Sequence, residues 1–137
     1  MPKPPLPPAL LEYLAQPNPS VIATLRPDGS PHTVPTWYLW EDGRVLVNMD
    51  AGRKRLEYMR REPRVSLTVL GADTWYHHVT LSGRVAAIEP DPEFEGIDRL
   101  CRHYMGEPFG HRERPRVSAW IEVESWHAWE GGSAWTP

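Results

Sequence analysis

Sixteen prolines are spread along 137 residues, and they divide the chain into short pieces. A proline fixes φ and brings no backbone N–H, so it ends helices, avoids sheet interiors and marks turns. Met1–Pro8 (MPKPPLPP) reads as an extended arm. Ala9–Ala15 puts Leu10, Leu11 and Leu14 on one face of a short helix, which Pro17-Asn18-Pro19 stops. Arg26-Pro27-Asp28-Gly29 is a hairpin turn between a strand at Ser20–Leu25 and a second at Pro31–Trp40. Pro35 lies inside that second strand and implies an edge or a bulge. Glu41-Asp42-Gly43 turns the chain into a third strand, Arg44–Met49. A helix over Ala51–Arg61 carries Leu56 and Met59 as its apolar pair and must end at Pro63.

The remaining strands follow from alternation. Val65–Leu70 alternates cleanly, and Trp75–Ile88 predicts a long strand with Val79, Leu81, Gly83 and Val85 on one face. Gly83 suggests a bend or bulge there. Asp91-Pro92 reads as N-cap and first turn of a helix with Phe94, Ile97, Cys101 and Tyr104 on its apolar face, closed by Gly106. Val117, Ala119, Ile121 and Val123 mark the last strand, and residues 131–137 read as a loose tail apart from Trp135. Six mostly antiparallel strands with two or three interleaved helices predict a mainly β fold, a small β-barrel, as one domain over residues 1–137.

Composition narrows the function. A net charge of −3 does not favour nucleic acid, so any anion site must come from local clustering. No apolar run approaches the ~18 residues of a membrane span, and the N-terminus lacks the apolar core of a signal peptide. The lone Cys101 cannot form an intrachain disulfide and fits a cytoplasmic setting. Seven tryptophans exceed what so small a core can bury, which points to a subunit interface and a homodimer.

The local clustering is at Gly52-Arg53-Lys54-Arg55, followed by Arg60, Arg61 and Arg64: six of the fifteen basic residues. Arg53 and Lys54 fall at a helix start, where cations are disfavoured unless an anion is bound. Asn48 and Met49 end the preceding strand, so strand end, glycine and helix start form one edge suited to phosphate. A solvated basic helix face is the alternative, and the helix-start placement favours phosphate. Around Pro35-Thr36-Trp37-Tyr38, broken pairing frees backbone groups that could read a planar heterocycle, with Trp37 or Tyr38 over its face. An aromatic core on an edge strand explains the same residues equally well. Trp75 in Trp75-Tyr76-His77-His78 reads as a ring cover or a dimer contact, with ordinary packing as the alternative. The adjacent histidines point to opposite faces of a strand and cannot share a metal. Hydrolase, NTPase and dinucleotide-fold motifs are missing from the sequence.

The order VIATLRPDGSPHTVPTWYLW, then RVLVNMDAGRKRLEYMRREPRVSL, then LSGRV resembles the pyridoxamine 5′-phosphate oxidase-like split β-barrel superfamily. The similarity is to its flavin/deazaflavin oxidoreductase branch, whose members use the deazaflavin coenzyme F420, and it spans about Leu11 to Glu130. The resemblance implies a six-stranded antiparallel Greek-key split barrel, a homodimer, and a cofactor (F420, or FMN as the alternative) that passes hydride to a small conjugated acceptor. It implies that Asn48, Met49, Arg53, Lys54 and Arg55 hold phosphate, that Pro35, Thr36 and Trp37 lie against the ring system, and that Trp75 and Tyr76 line the pocket. Arg60, with Arg61 and Arg64, would suit a polyanionic tail. No side chain is expected to do covalent chemistry and no metal is implied. One departure argues against pyridoxamine phosphate oxidation itself. Thr33-Val34-Pro35-Thr36-Trp37 carries no arginine facing the ring, and Ser125-Trp126-His127 stands where a substrate-binding Arg-Leu-x-Pro segment would be.

Overall fold

The computed structural model describes residues 1–130 together with 133 and 134. The elements in chain order are α1 (Pro8–Leu14), β1 (Ser20–Leu25), β2 (Pro31–Pro35), β3 (Leu39–Glu41), β4 (Arg44–Asp50), α2 (Lys54–Arg61), β5 (Arg64–Leu70), β6 (His78–Pro90), α3 (Glu95–Met105), β7 (Arg116–Glu130) and β8 (Ser133–Ala134). The strands form one antiparallel sheet in the order β2-β1-β5-β6-β7-β4-β3, with β8 on β7.

The second strand expected from sequence is in fact two. Pro35 ends the pairing with β1, and the chain resumes at Leu39 against β4, on the opposite edge of the sheet. The link is Thr36–Tyr38. From Pro35 to Leu39 the chain can reach no more than about 14 Å. The two edges must therefore approach each other, and the sheet is obliged to curl into a barrel. Counting β2 and β3 as one broken strand, and setting aside the two-residue β8, restores the six strands predicted from sequence. The proline supplies the break because it cannot extend a ladder.

β4 shows the two-sided burial that closure produces, with Val45 to Met49 all buried. Val45, Val47 and Met49 face the barrel interior with Ile22, Leu67, Leu81, Ile121 and Trp126. Leu46 faces outward onto Ile97 and Leu100 of α3, in a second cluster joined by Trp37, Phe109 and Trp120. The proline arm is not free. Leu6 is buried, the Trp126 N–H donates to the Pro2 carbonyl (2.9 Å), and Trp126 Nε1 donates to the Lys3 carbonyl (3.3 Å).

Several boundaries differ from the sequence reading. α2 begins at Lys54 rather than Ala51, because Asp50 accepts the Gly52 N–H (2.7 Å) and holds residues 50–53 in a turn. β6 begins at His78, and Trp75 to His77 lie in the preceding loop, closed by the Gly71 N–H on the His77 carbonyl (2.8 Å). α3 begins at Glu95, after Phe94 adopts φ 59°. Asp91 still caps it from a distance, accepting the N–H groups of Gly96 and Ile97 at 3.0 Å each. The register between β6 and β7 shifts at Ser82/Gly83, as expected for a bulge. Of the expected loose tail, Ser133–Ala134 pairs with Trp129 and Glu130, and Trp135 lies outside the described residues. Among the described residues no helix is long and apolar enough to cross a membrane.

Candidate functional site

A cavity of about 610 Å³ opens between α3, the outer face of β4 and the Thr36–Tyr38 link. Ile97, Leu100, Tyr104 and Phe109 give it an apolar wall, Trp37 faces them, and Arg55 and Arg116 close one end. Beyond those arginines a second cleft of about 410 Å³ is lined by His32, Met49, Asp50, Arg53 and Lys54. Pro35, Arg55 and Arg116 line both, so an apolar chamber and a basic cleft meet at two guanidinium groups.

The chemistry of that junction is unusual. Arg55 is half-buried, its Nη2 donates to the Asn48 carbonyl at 3.3 Å, and its buried Nε has no partner among the described residues. Burial, then the neighbouring positive charges of Arg53 and Arg116, push its pKa down to about 10. Burial likewise lowers that of Arg116. Neither guanidinium is within ion-pair distance of a carboxylate among the described residues. Two desolvated cations with an unused donor and no acid partner form a site that an anion would stabilise.

Asn48 is what holds them. Its Oδ1 accepts from Arg116 Nε (3.0 Å), and its Nδ2 donates to Asp91 Oδ2 (3.0 Å) and Ser118 Oγ (2.9 Å). Asn48, Asp91 and Ser118 are all buried. Gly96 packs so close that an added Cβ would lie 2.5 Å from Ser118 Oγ and 3.3 Å from Asn48 Nδ2. The start of α3, the outer face of β4 and the start of β7 are thus locked together around one amide.

The chamber end is aromatic. Trp37 stacks on Tyr104 with ring centroids 5.4 Å apart and planes 14° from parallel. Tyr104 Oη donates to the Asn18 carbonyl (2.6 Å), and burial raises its pKa to about 12. On the link, the Thr36 N–H pairs with the Ser20 carbonyl (3.0 Å) and the Tyr38 N–H reaches Tyr104 Oη (3.4 Å). The Trp37 N–H has no partner among the described residues and stays available to a ligand. Among the described residues no carboxylate, histidine or thiol lines the chamber. Phe109 is held in the wall by Asp98, whose carboxylate accepts the Phe109 N–H (3.0 Å) and two bonds from Arg112 (2.7 Å each).

Of the residues singled out from sequence, Pro35, Thr36, Trp37, Asn48 and Arg55 line the chamber, and Pro35, Met49, Arg53, Lys54 and Arg55 line the cleft. Arg60 is exposed on α2 and lines neither. Trp75 and Tyr76 are stacked on each other (centroids 4.6 Å apart) and exposed in the β5–β6 loop, away from both cavities. Tyr38 is fully buried core, with its hydroxyl donating to the Leu14 carbonyl (2.8 Å). Sequence reasoning missed Arg116, His32 and Phe109. No local pattern marks them, because Arg116 meets Asn48 across 68 residues.

No curated protein matches the chain. Among solved structures, an F420 reductase aligns with a TM-score of 0.81 at 23% identity, covering 88% of this chain and 98% of that one. A conserved hypothetical protein from Mycobacterium tuberculosis aligns at 0.73 and 23% identity, covering 92% and 86%. A FAD-binding protein from Mesorhizobium loti aligns at 0.63 and 24%, covering 88% and 92%. At these identities the likeness is one of fold. The family profile of pyridoxamine 5′-phosphate oxidase, however, matches residues 6–130, nearly the whole chain, and with the curled sheet beneath it the protein belongs to the pyridoxamine 5′-phosphate oxidase family of split β-barrels.

Proposed function

We propose that the chain is a cofactor-dependent oxidoreductase that binds F420, with FMN as the alternative, and reduces a small conjugated molecule. The observation that carries this reading is Arg55, a half-buried guanidinium whose buried Nε is unused, between an aromatic chamber and a basic cleft. The residues fit such a group. Arg55, Arg116, Arg53 and Lys54 would hold its phosphate, and Trp37 with the apolar wall would take its ring system. Bound there, the cofactor supplies hydride transfer.

The chain's own residues orient and exclude water. Tyr104 keeps its proton near neutral pH and spends it on Asn18, so it serves as a wall rather than an acid.

Fluorescence titration of the purified protein with F420 and with FMN tests the proposal. Micromolar F420 binding, abolished in Arg55→Ala, is the expected result. FMN binding without F420 binding would reverse the order of cofactors. Tight binding with no acceptor reduced across a broad panel would make the protein a ligand-binding module. A homodimer is part of the proposal, supported by the exposed Trp75–Tyr76 stack. A folded, ligand-competent monomer in sedimentation at micromolar concentration would remove it.

A further inference from the structure

We propose that Phe109 is a positioning residue of the anion site: its ring covers the Arg116 guanidinium against water and is held there by Asp98. The inference rests on the reading of Arg55 and Arg116 as the groups that take an anion, and it makes the α3–β7 loop part of that site.

Phe109 lines the aromatic chamber and does not line the basic cleft. Its ring nevertheless lies against Arg116, with the guanidinium carbon 4.8 Å from the ring centroid. A guanidinium stacks through its flat face and donates through its edge. Arg116 uses Nε on Asn48 Oδ1 (3.0 Å), and its two terminal nitrogens have no partner among the described residues. Phe109 thus closes a face of the group without spending a donor. An apolar ring at that face excludes water. A less hydrated cation holds an anion more strongly, and salt screens it less.

The loop that carries Phe109 has one fastening. Gly106, at φ 81°, ends α3. Among the described residues, the hydrogen bonds that reach outside the loop from residues 107–113 all end on Asp98 of α3. They are the Phe109 N–H at 3.0 Å and Arg112 Nη2 at 2.7 Å to each carboxylate oxygen. Arg112 lies in turn over the Phe94 ring, 4.8 Å from its centroid, and Phe94 packs in the same cluster as Phe109. Contacts therefore run from α3 through Asp98 and Phe109 to Arg116. Asp98 acts on the anion site only by fixing where the ring of Phe109 lies.

Sulfate is the probe, because it carries the charge of the anion and no ring for the chamber wall to hold. Its affinity is read from the backbone amides of Arg53, Lys54 and Arg55 in the purified protein, at low salt and at about 0.15 M potassium chloride. Phe109→Ala should weaken sulfate about three- to tenfold and steepen its loss on adding salt. Phe109→Leu, which keeps an apolar group over the guanidinium, should restore the wild-type salt response. Asp98→Ala should match Phe109→Ala, and the double variant should be no weaker than either. A wall that served only a ligand's ring would leave sulfate untouched in every one of these variants. Wild-type sulfate affinity in Phe109→Ala or in Asp98→Ala, while Arg116→Ala weakens it, overturns the proposal. A loss that is equal at both salt concentrations, or a leucine variant that responds to salt as the alanine variant does, overturns it as well. Wild-type sulfate affinity in both Arg55→Ala and Arg116→Ala instead removes the anion site on which the proposal rests.

Discussion

Asn48 on β4 and Arg116 on β7 are joined by a 3.0 Å hydrogen bond from the guanidinium Nε to the amide oxygen, and the same amide donates to Asp91 and Ser118. Asn48→Ala removes all three bonds from a buried position. A stability loss of about 1–3 kcal/mol follows from the unpaired partners, together with roughly tenfold weaker cofactor binding as Arg116 loses its anchor. If Asn48 acts on binding through Arg116, the two substitutions are not additive. Adding Asn48→Ala to Arg116→Ala should then cost stability in chemical denaturation but little further affinity.

Arg55 and Arg53 should respond in opposite ways to removal. Arg55 carries a partly desolvated charge whose pKa is pushed down to about 10 on folding. The folded state therefore opposes its protonation. That cost is present in full below about pH 10 and is relieved as pH rises from there toward the ordinary arginine value. At neutral pH, Arg55→Met should raise apo stability by on the order of 1–3 kcal/mol, while cofactor binding is lost. Arg53 is exposed at the N-cap of α2. Arg53→Ala should weaken the cofactor about tenfold, in a salt-dependent way, and leave the apo melting temperature unchanged or slightly higher. Paired melting and titration curves for the two variants check both directions.

Asp98 ties the α3–β7 loop to the chamber wall. Its carboxylate is held below the usual range, first by the hydrogen bonds from Arg112 and then by the Phe109 N–H. Because the folded pKa is the lower one, the contribution is present above the unfolded value near 3.8 and is lost as pH falls through the folded value. The protection of the Phe109 amide against hydrogen exchange, taken relative to the intrinsic rate at each pH, should therefore fall at acid pH in the wild type. Asp98→Asn should show the reduced protection already at neutral pH and lose that acid-side change.

Gly83 tolerates no side chain. A Cβ there would lie 1.9 Å from the Glu122 carbonyl oxygen and 3.1 Å from Val123 Cα, all backbone, at the bulge between β6 and β7. Gly83→Ala should cost more than about 3 kcal/mol or fail to fold. Gly110, with open space around its Cβ position, should accept alanine within about 0.5 kcal/mol. Urea unfolding of the two variants separates them.

Alternation, turn residues and proline placement are local, and they were enough to reveal the strands, the break at Pro35, the bulge at Gly83 and the basic helix start at Arg53–Arg55. Each depends on neighbours within a few residues, where backbone sterics and burial period act directly. The sequence could not say that Pro35 sends the chain to the far edge of the sheet, since that depends on which strands pair at long range. It could not show that Trp75 and Tyr76 leave the strand for an exposed loop, because their β propensity is outweighed by the hydrogen-bonded turn from Gly71 to His77. Nor could it bring Arg116 and His32 to Arg55. Barrel closure does that by setting β2, β4, β7 and α2 side by side, and only this closure gathers separated cations around one cleft.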